Sequence, residues 1–390
     1  MWTVLLIAFI QMSNLAILPG VDNIATKVFP EKPLSDIQMA MALPNIVVLV
    51  SGIIAAMLVR YGLMSKKALV VVGLIFCGLT GVSALIFHTR FWHLHLMHIF
   101  LGIGMGFYVQ NYQSIIYDNF DEKKRQFISG VQSSCAHGGG ILLSLLAGYL
   151  ITLTWYGGHL ISLVILPIAV VSFFTIPSEK KVRLSFDNKT TRTKLPSGVY
   201  YYSVLVMVLM IIYNVAGMNI STHIANGNIG DAATSGIATA ALMVGGVIGG
   251  LVFPKASSIL RNYIFSFSLT LLAIGFSLLN IFPKSLAITL VAMAFCGTAF
   301  CTYIPRCIFN VSNITDPTNS ATATMLVVSV AAGAGSYLSP IIMTNITLLL
   351  GGDSTRFRYQ FTAFVCIAFA VVLHIKNHRD TIRASISCEP

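Results

Sequence analysis

The sequence predicts an all-α membrane protein with twelve transmembrane helices in two six-helix, pseudo-symmetric bundles. Three observations carry this prediction: an apolar composition, apolar runs that recur along the whole chain, and an internal repeat. Of the 390 residues, 56% are hydrophobic and only 9% are charged, and the mean hydropathy is +0.82. A soluble domain of this length carries many more charges, so the composition places the chain in a bilayer.

The apolar runs are each about 18–25 residues long, enough to cross a hydrocarbon core of about 30 Å. The first run lacks the basic segment and the small-residue cleavage site of a signal peptide, and more runs follow it, so it is interpreted as the first helix. Only a helix satisfies its own backbone groups in the bilayer core. The spans are predicted near 2–18, 35–59, 68–87, 93–113, 127–153, 158–176, 199–222, 234–253, 263–282, 284–308, 320–346 and 359–375.

The distribution of Lys and Arg predicts the orientation of these helices. If the N-terminus is cytoplasmic, the loops 60–67, 114–126, 177–198 and 254–262 and the C-terminal tail hold 17 of the 24 basic residues. The opposite loops hold six, and the remaining one, Arg306, ends the tenth span. Positive charge favours the cytoplasmic side, so both termini are predicted to be cytoplasmic. The net charge of +11 therefore reports topology, and no nucleic-acid partner is expected.

A hydrophilic stretch at the midpoint of the chain predicts the domain organisation. It spans residues 177–198 and contains six basic residues. We interpret it as a linker between two halves. The predicted domains are an N-terminal six-helix bundle (1–176), a cytoplasmic linker (177–198), a C-terminal six-helix bundle (199–376) and a cytoplasmic tail (377–390).

An internal repeat supports the division into halves. A shift of 195 residues aligns helices 4 and 5 with helices 10 and 11 without a gap and places Gly102 on Gly297. The beginnings of the halves agree at an offset of 200, which matches Asn14 with Asn214. Because each half has an even number of helices, the repeats run in the same sense across the membrane.

The segments ILPGVDNIATKVFP and IQMAMALPNIVVLVSGIIAAMLVRYGLMSKK resemble the first two helices and the following loop of the major facilitator superfamily. The resemblance extends over essentially the whole chain, including HIFLGIGMG in helix 4, where His98 stands in place of the family's arginine. The family's loop motif is G-x-x-x-D-R-x-G-R-R. Its basic and glycine positions correspond here to a predicted gating loop made of Arg60, Gly62, Lys66 and Lys67. Val59 replaces the aspartate, so the acidic residue that latches the two halves in the family is absent.

The polar inventory of the predicted spans excludes several function classes. All 13 carboxylates fall in predicted loops or at span edges. Exporters of lipophilic cations usually bind the charge with a buried carboxylate, so this inventory counts against that substrate class. No pair of histidines has a convincing metal geometry, and no Ser/His/Asp set can be assembled without an embedded acid. We expect neither an enzyme nor a metal or cofactor.

The resemblance also implies where a solute binds, because helices 1, 4, 7 and 10 of the family line a central cavity and helix 5 borders it. The residues predicted to bind substrate are Gln11, Asn14, His98, Gln110, Asn111, His137, Tyr213, Asn214, Thr302, Tyr303 and Arg306. For Gln11 and Asn14 the alternative is an interhelical hydrogen bond. For His98 and His137 it is neutral packing, although a histidine also suits a proton relay.

Arg306 has two interpretations that the local sequence does not separate. It can extend toward the cytoplasmic headgroups as an edge residue. Alternatively, Pro305 breaks the hydrogen-bond ladder of the helix beside it and frees a carbonyl, and the guanidinium faces the inner end of the cavity, where it holds a carboxylate. A cavity with one arginine, two histidines and no acid is suited to an anion, which favours the second interpretation.

Together these observations predict a monomeric secondary active transporter in a bacterial cytoplasmic membrane, working by alternating access. Its expected partners are the lipid bilayer, protons and a small-molecule substrate, expected to be an organic anion such as a carboxylate. The alternative is an exporter of multiple drugs or lipophilic compounds of the drug:proton antiporter type.

Overall fold

The computed structural model describes residues 2–120, 122–177, 195–315, 323–352 and 354–386. All regular secondary structure in these ranges is helical. In chain order the helical segments are α1 (Trp2–Val28), α2 (Leu34–Arg60), α3 (Lys66–Ile86), α4 (Phe91–Asn119), α5 (Glu122–Leu153), α6 (Gly157–Thr175), α7 (Ser197–Gly227), α8 (Ala232–Leu260), α9 (Ile264–Ile281), α10 (Leu286–Ile314), α11 (Met325–Leu349) and α12 (Thr355–Ile386).

These helices have the length and hydropathy of membrane spans. Within the described ranges, ten segments are long and apolar enough to cross a bilayer. One of them, Ala232–Ile281, is 50 residues long and contains both α8 and α9, whereas α4 is not among the ten. The predicted all-α membrane fold is confirmed. The count of twelve crossings is consistent with the helices and stays a prediction.

Helix α1 is longer and less regular than the sequence predicts. The predicted end at residue 18 is wrong, because helical structure continues to Val28. After an α-helical start at Trp2–Phe9, the segment Ser13–Gly20 is a 3₁₀ helix that contains Pro19, and Ile24–Val28 is a π-helix. Proline has no N–H to donate, and tighter or wider turns of this kind are typical of helices with such interruptions.

Two further predicted boundaries are wrong because hydropathy detects only the apolar part of a helix. Helix α8 continues through Pro254 to Leu260, so much of the predicted loop 254–262 is helical. Helix α12 continues to Ile386, well into the predicted tail. Polar residues such as Lys, Arg and Gln form helices readily once they have left the hydrocarbon. The predicted linker falls mainly on residues 178–194, which lie outside the described residues, as do residues 387–390 of the tail.

Backbone contacts divide the chain into two units. The first contains residues 1–194 and 230–240, and the second contains residues 195–229 and 241–390. In the first unit α3 packs on α4 and α6, α2 packs on α4, and α1 packs on α5. In the second unit α9 packs on α10 and α12, and α7 packs on α10 and α11. The first turns of α8 thus group with the first unit, and the predicted domain boundaries stay a prediction.

The sequence repeat coincides with equivalent helix crossings inside the two units. A Cβ atom on Gly102 would lie 2.5 Å from Cβ of Val47 and 3.0 Å from the carbonyl oxygen of Pro44, on α2. A Cβ atom on Gly297 would collide with the carbonyl oxygen of Leu242, on α8. Leu242 follows Val47 by the same 195 residues that separate the two glycines. Close backbone approach through small residues is the usual basis of helix packing in lipid.

A second pair of crossings has the same offset. On α3, the Thr80 hydroxyl donates to the carbonyl oxygen of Met97 on α4 over 3.3 Å. On α9, a Cβ atom on Gly275 would lie 2.9 Å from the carbonyl oxygen of Ala292 on α10. Thr80 and Gly275 are 195 residues apart, and so are Met97 and Ala292. The helix pairs α3/α4 and α9/α10 therefore meet at corresponding positions.

Candidate functional site

Thr298, Thr302 and Arg306, spaced four residues apart on α10, pack against neighbouring helices of the second unit. The Thr298 hydroxyl donates to the carbonyl oxygen of Gly245 on α8 over 3.0 Å. The hydroxyl oxygens of Thr302 and Ser268, on α9, lie 2.8 Å apart. Arg306 continues the same face of the helix toward the turn between α8 and α9. Helix α10 continues through Pro305 and past Arg306 to Ile314, so the predicted end of the tenth span at residue 308 is wrong. Pro305 has no N–H to donate, so the hydrogen-bond ladder lacks one bond beside Arg306.

The Arg306 guanidinium is held by neutral groups. Nη1 donates to Oγ of Ser257 over 3.0 Å, and Nη2 donates to Oδ1 of Asn262 over 3.1 Å. Its Cζ lies 5.2 Å from the centre of the Phe309 ring, a cation–π distance. Nε is buried and has no hydrogen-bond partner among the described residues. The arrangement leaves a positive charge whose described contacts include no carboxylate.

Amide side chains extend this contact into a network. Oδ1 of Asn262 also accepts from Nδ2 of Asn310, 3.2 Å away, and the same Nδ2 donates to the Tyr202 hydroxyl over 2.9 Å. The backbone carbonyl of Asn262 accepts from Nδ2 of Asn377 over 2.9 Å. The network therefore joins α7, α10 and α12 to the turn that carries Asn262.

On α7, the two predicted site residues contact different helices. Nδ2 of Asn214 donates to the Met210 carbonyl over 2.7 Å and to Oγ of Ser336 on α11 over 3.1 Å. The ring of Tyr213 stacks on that of Phe300 on α10, with centroids 4.7 Å apart. Both Tyr213 and Asn214 are half-buried, so each keeps surface that a solute can contact.

Thr302 and Tyr303 are fully enclosed within the second unit. Besides contacting Ser268, the Thr302 hydroxyl donates to the carbonyl oxygens of Thr298 and Ala299. The Tyr303 ring packs on Phe265. A solute reaches these side chains only if the helices around them separate.

In the first unit, the predicted residues on α1 and α5 are half-buried. Gln11 precedes the 3₁₀ segment of α1 and Asn14 lies inside it. His137 lies on α5, two residues before Gly139. A Cβ atom on Gly139 would collide with the carbonyl oxygen of Phe9, which shows how closely α1 and α5 approach.

On α4, the neighbours Gln110 and Asn111 differ in exposure. Gln110 is exposed, whereas Asn111 is buried and donates from Nδ2 to the Phe107 carbonyl over 2.8 Å. The side chains of adjacent helical residues point in different directions. Of this pair, Gln110 is the one with surface available to a solute.

His98 is completely buried, and its partner is another histidine that the sequence analysis did not select. Nε2 of His98 lies 3.2 Å from Nε2 of His159, the third residue of α6. The exposed fraction of the two side chains is 0% and 1%. The backbone carbonyl of Ala40 faces the His98 ring, and that of Tyr156 faces the His159 ring, although neither Nδ1 atom has a well-formed hydrogen bond in the described structure.

The family comparison identifies this architecture. A family model described as Major Facilitator Superfamily matches residues 1–224, more than half of the sequence. The chain belongs to the major facilitator superfamily. It is a multi-pass membrane protein and a secondary transporter, not an enzyme. No curated protein matches the sequence significantly.

Solved structures of major facilitator transporters share the fold at low sequence identity. The nucleoside transporter NupG is 13% identical, with a TM-score of 0.73 and coverage of 96% of this chain and 97% of that chain. A POT family transporter solved with a thioalcohol-conjugated peptide is 10% identical, with a TM-score of 0.75 and coverage of 97% and 96%. A bacterial homologue of the human lysosomal transporter Spinster is 16% identical, with a TM-score of 0.68 and coverage of 97% and 96%. At these identities the likeness shows the fold alone.

The loop motif of this major facilitator protein forms a tight turn between α2 and α3. Arg60 is the last residue of α2, and Gly62 has a φ of 66°, a left-handed conformation that favours glycine. Lys66 begins α3, where the hydroxyl of Ser65 caps the helix by accepting from the Ala68 N–H. Nζ of Lys67 lies 5.4 Å from the centre of the Phe173 ring. This geometry explains the glycine; the gating role stays a prediction.

Sequence reasoning missed a buried polar group near the beginning of α12. Nη1 of Arg358 donates to Oδ1 of Asn219 on α7 over 3.2 Å, and the Arg358 side chain is only 1% exposed. One turn further along α7, Nε2 of His223 lies 3.3 Å from Oγ1 of Thr289 on α10. The predicted twelfth span begins at residue 359, which leaves Arg358 in the predicted loop before that span. The start of α12 at Thr355 places it inside the helix.

Among the described residues there is no group of three or more His, Cys, Asp or Glu side chains that could hold a metal ion. The six cysteines with described side chains are free thiols, and four of them, Cys77, Cys296, Cys307 and Cys366, are buried. The polar groups of each unit are thus mainly amides, hydroxyls, imidazoles and guanidinium groups, which bind solutes through hydrogen bonds and positive charge.

Proposed function

We propose that this major facilitator transporter carries a small organic anion, such as a carboxylate, together with protons by alternating access. The observation that carries the proposal is the Arg306 guanidinium, which lies within α10 and, among the described residues, donates hydrogen bonds to neutral side chains and lies against an aromatic ring. A guanidinium is charged at all physiological pH values, and its fork of N–H donors matches the two oxygens of a carboxylate.

The carboxylates of the described chain also favour an anionic rather than a cationic solute. Four have described side chains: Asp22, Glu31, Asp36 and Asp231. Glu31 and Asp231 precede helices, and Asp36 lies in the first turn of α2. Asp22 lies near the end of α1, where it interacts electrostatically with Lys27. None of the four is an acid in the middle of a span, the position that a cation-binding site usually requires.

The contacts of Arg306 suggest how an anion binds. In the described structure two neutral oxygens, from Ser257 and Asn262, accept from the two terminal nitrogens. A hydrogen bond between two charged groups is stronger than one to a neutral acceptor. A carboxylate that enters would therefore replace one of these oxygens, and Asn262, if displaced, would keep its hydrogen bond from Asn310.

Burial separates the other predicted residues into two groups in this proposal. Gln11, Asn14, Gln110, His137, Tyr213 and Asn214 keep exposed surface and are proposed to contact the solute. His98, Asn111, Thr302 and Tyr303 are buried, and Asn111, Thr302 and Tyr303 are proposed to act by holding the helices in register. Neutral amides and an aromatic ring provide orientation, and Arg306 provides the charge.

Uptake of labelled carboxylates into proteoliposomes tests this function. A panel of mono-, di- and hydroxycarboxylates is offered with and without a pH gradient across the vesicle membrane. We expect at least one to accumulate, faster with the gradient, and we expect Arg306→Ala to abolish uptake while Arg306→Lys retains part of it. Arg379→Ala, which removes an exposed charge from α12, is the matched control. Full uptake by Arg306→Ala would remove Arg306 from the site.

A second candidate function is export of neutral or lipophilic drugs by a drug:proton antiport mechanism. The stacked rings of Tyr213 and Phe300, 4.7 Å apart, favour it because aromatic surfaces bind flat apolar compounds. A resistance assay in a host that lacks its own pumps discriminates the two functions. Resistance that depends on Tyr213, together with no uptake of any carboxylate, would favour export.

We further propose a bacterial cytoplasmic membrane, cytoplasmic termini, a monomer, and the domain boundaries 1–176, 177–198, 199–376 and 377–390. The excess of Lys and Arg in one set of loops supports the orientation. Cysteine labelling from each side of inside-out vesicles, with single cysteines placed in the linker and in the loop after α3, tests the topology. Light scattering of the protein in detergent tests the monomer.

A further inference from the structure

We propose that His98 and His159 form one proton-binding site, in which the two imidazoles share a single added proton between their Nε2 atoms. The use of this site for coupling rests on the function proposed above, but the binding of the proton does not. The site lies within the first unit, where α4 meets the beginning of α6.

The distance between the rings fixes their protonation relative to each other. The Nε2 atoms lie 3.2 Å apart, so one of them must carry a hydrogen and the other must accept it. A neutral imidazole carries only one N–H. The donor ring therefore has a bare Nδ1, and the acceptor ring carries its hydrogen on Nδ1. When both rings are neutral, the pair is thus a mixed pair of tautomers.

Two backbone carbonyls close to the rings offer acceptors for Nδ1–H groups. The carbonyls of Ala40 and Tyr156 lie beside the His98 and His159 rings, and neither Nδ1 atom has a hydrogen-bond partner in the described structure. The Tyr156 carbonyl already accepts the His159 backbone N–H over 2.9 Å. A neutral pair has one Nδ1–H and so can donate to only one of these carbonyls. A pair with one added proton has Nδ1–H on both rings and a shared Nε2–H···Nε2 bond, so both carbonyls gain a donor.

The surroundings limit the pair to a single proton. Both side chains are almost completely buried, and burial of a charge without compensation is costly. One positive charge can be delocalised over two rings and stabilised by two carbonyls. A second proton would place two cations 3.2 Å apart in a water-poor environment, and their repulsion would separate α4 from α6.

The groups facing the pair contribute little compensating charge. From α4, His95 lies close enough to interact electrostatically with His98. Before α6, the Trp155 ring is 6.5 Å from the His159 ring, and Tyr156 stacks on His88, which follows α3. Other described groups nearby are the Ala40 carbonyl of α2 and, around the adjacent Gly158, the apolar residues Ile151 of α5 and Ala16 and Ile17 of α1. Lys32 lies further away, over the Phe91 ring that contacts His95.

The sequence analysis selected His98 on α4 as a candidate site residue, but it did not identify His159 as its partner. Residues 98 and 159 are 61 positions apart and belong to different helices. Because the two imidazoles are in direct contact, they do not bind protons independently, and the first added proton belongs to the pair and not to either ring. A coupling site of this kind needs no carboxylate, which fits the absence of a mid-span acid among the described side chains.

Nitrogen NMR of the full-length protein, with isotope-labelled histidine and in lipid nanodiscs, tests the proposal. At neutral pH we expect opposite tautomers for the two rings. As the pH is lowered from neutral to the point at which the protein begins to unfold, we expect both rings to respond at one shared midpoint. His98→Gln and His159→Gln assign the signals, with His98→Asn as a second choice if one of them misfolds. His378→Gln, in the second unit, is the control that should leave the pair unchanged.

Three results would overturn the proposal: identical tautomers in the two rings, separate midpoints, or no response while the protein stays folded. The measurement uses no solute. It therefore fails or succeeds independently of carboxylate uptake, and a negative uptake panel would not affect it.

Discussion

Gly102 and Gly297 occupy the same kind of helix crossing in the two units, 195 residues apart. Gly102 brings α4 against Pro44 and Val47 of α2, and Gly297 brings α10 against Leu242 of α8. The sequence repeat therefore corresponds to equivalent close contacts between helices, and not only to similar residue types. Both positions lack the room for even one methyl group.

Alanine at either glycine should destabilise the protein, because the new Cβ would collide with a neighbouring helix. Overpacking of this kind typically costs about 1–3 kcal/mol. Thermal unfolding in detergent measures the effect. Gly138→Ala in α5 and Gly250→Ala in α8 are the controls, since a Cβ there meets no atom within 4 Å. Equal melting temperatures for all four variants would show that the crossings are looser than described.

The sequence predicted the helices because a bilayer imposes a length and a hydropathy on each of them. It located Gly102 and Gly297 because small residues at matched positions are needed for close packing. It could not locate the 3₁₀ segment of α1, since hydropathy does not distinguish one kind of helical turn from another. Nor could it place the ends of α8 and α12, which continue as polar helix beyond the apolar run.

The candidate site was less predictable than the fold. Helical periodicity shows which residues share one face of a helix, but it does not show which neighbouring helices that face contacts. Thr302 and Arg306, four residues apart on α10, share a face that packs on α8, α9 and the turn between them. His159 and Arg358 were missed for a related reason. Each meets a partner that is distant in the chain, and Arg358 also falls one residue outside the predicted twelfth span.

Ser257 and Arg306 should be separable by their effects on stability and uptake. Ser257→Ala removes one neutral acceptor and should lower the unfolding free energy by roughly 1–2 kcal/mol, with uptake retained. Arg306→Ala should lower both stability and uptake. The neighbouring Ser258→Ala, whose hydroxyl donates only to the Lys255 carbonyl of its own helix, is the control. If Ser257→Ala abolished carboxylate uptake as completely as Arg306→Ala, the charge of Arg306 would not be the deciding property.

Two Asn–Arg contacts that involve α12 should differ in strength because only one is buried. Asn219 accepts from buried Arg358, whereas Asn280 accepts from Arg356 in an exposed contact. Asn219→Ala should cost about 1.5–3 kcal/mol because it removes a bond to a buried charge. Asn280→Ala should stay within about 0.5 kcal/mol, as is usual for surface changes. Chemical or thermal unfolding of the two variants side by side measures the difference, and similar losses would mean that Arg358 is less enclosed than described.

His159→Gln should uncouple solute movement from protons without stopping the movement itself. Glutamine can still hydrogen-bond to His98 but cannot share an imidazolium proton. We expect acceleration of uptake by a pH gradient to disappear, while exchange of labelled for unlabelled solute at equal pH continues. His378→Gln should retain both. An unchanged gradient effect in His159→Gln would assign proton coupling to another group.

The most direct test of anion–proton transport is the internal pH of proteoliposomes when a carboxylate gradient is imposed. Vesicles loaded with a pH-sensitive dye receive the carboxylate that is active in the uptake panel, with membrane potential held at zero by potassium and valinomycin. The account predicts a change of internal pH that requires the protein and is lost in Arg306→Ala. Carboxylate uptake with no accompanying proton movement, or proton movement that is equal in Arg306→Ala, would contradict it.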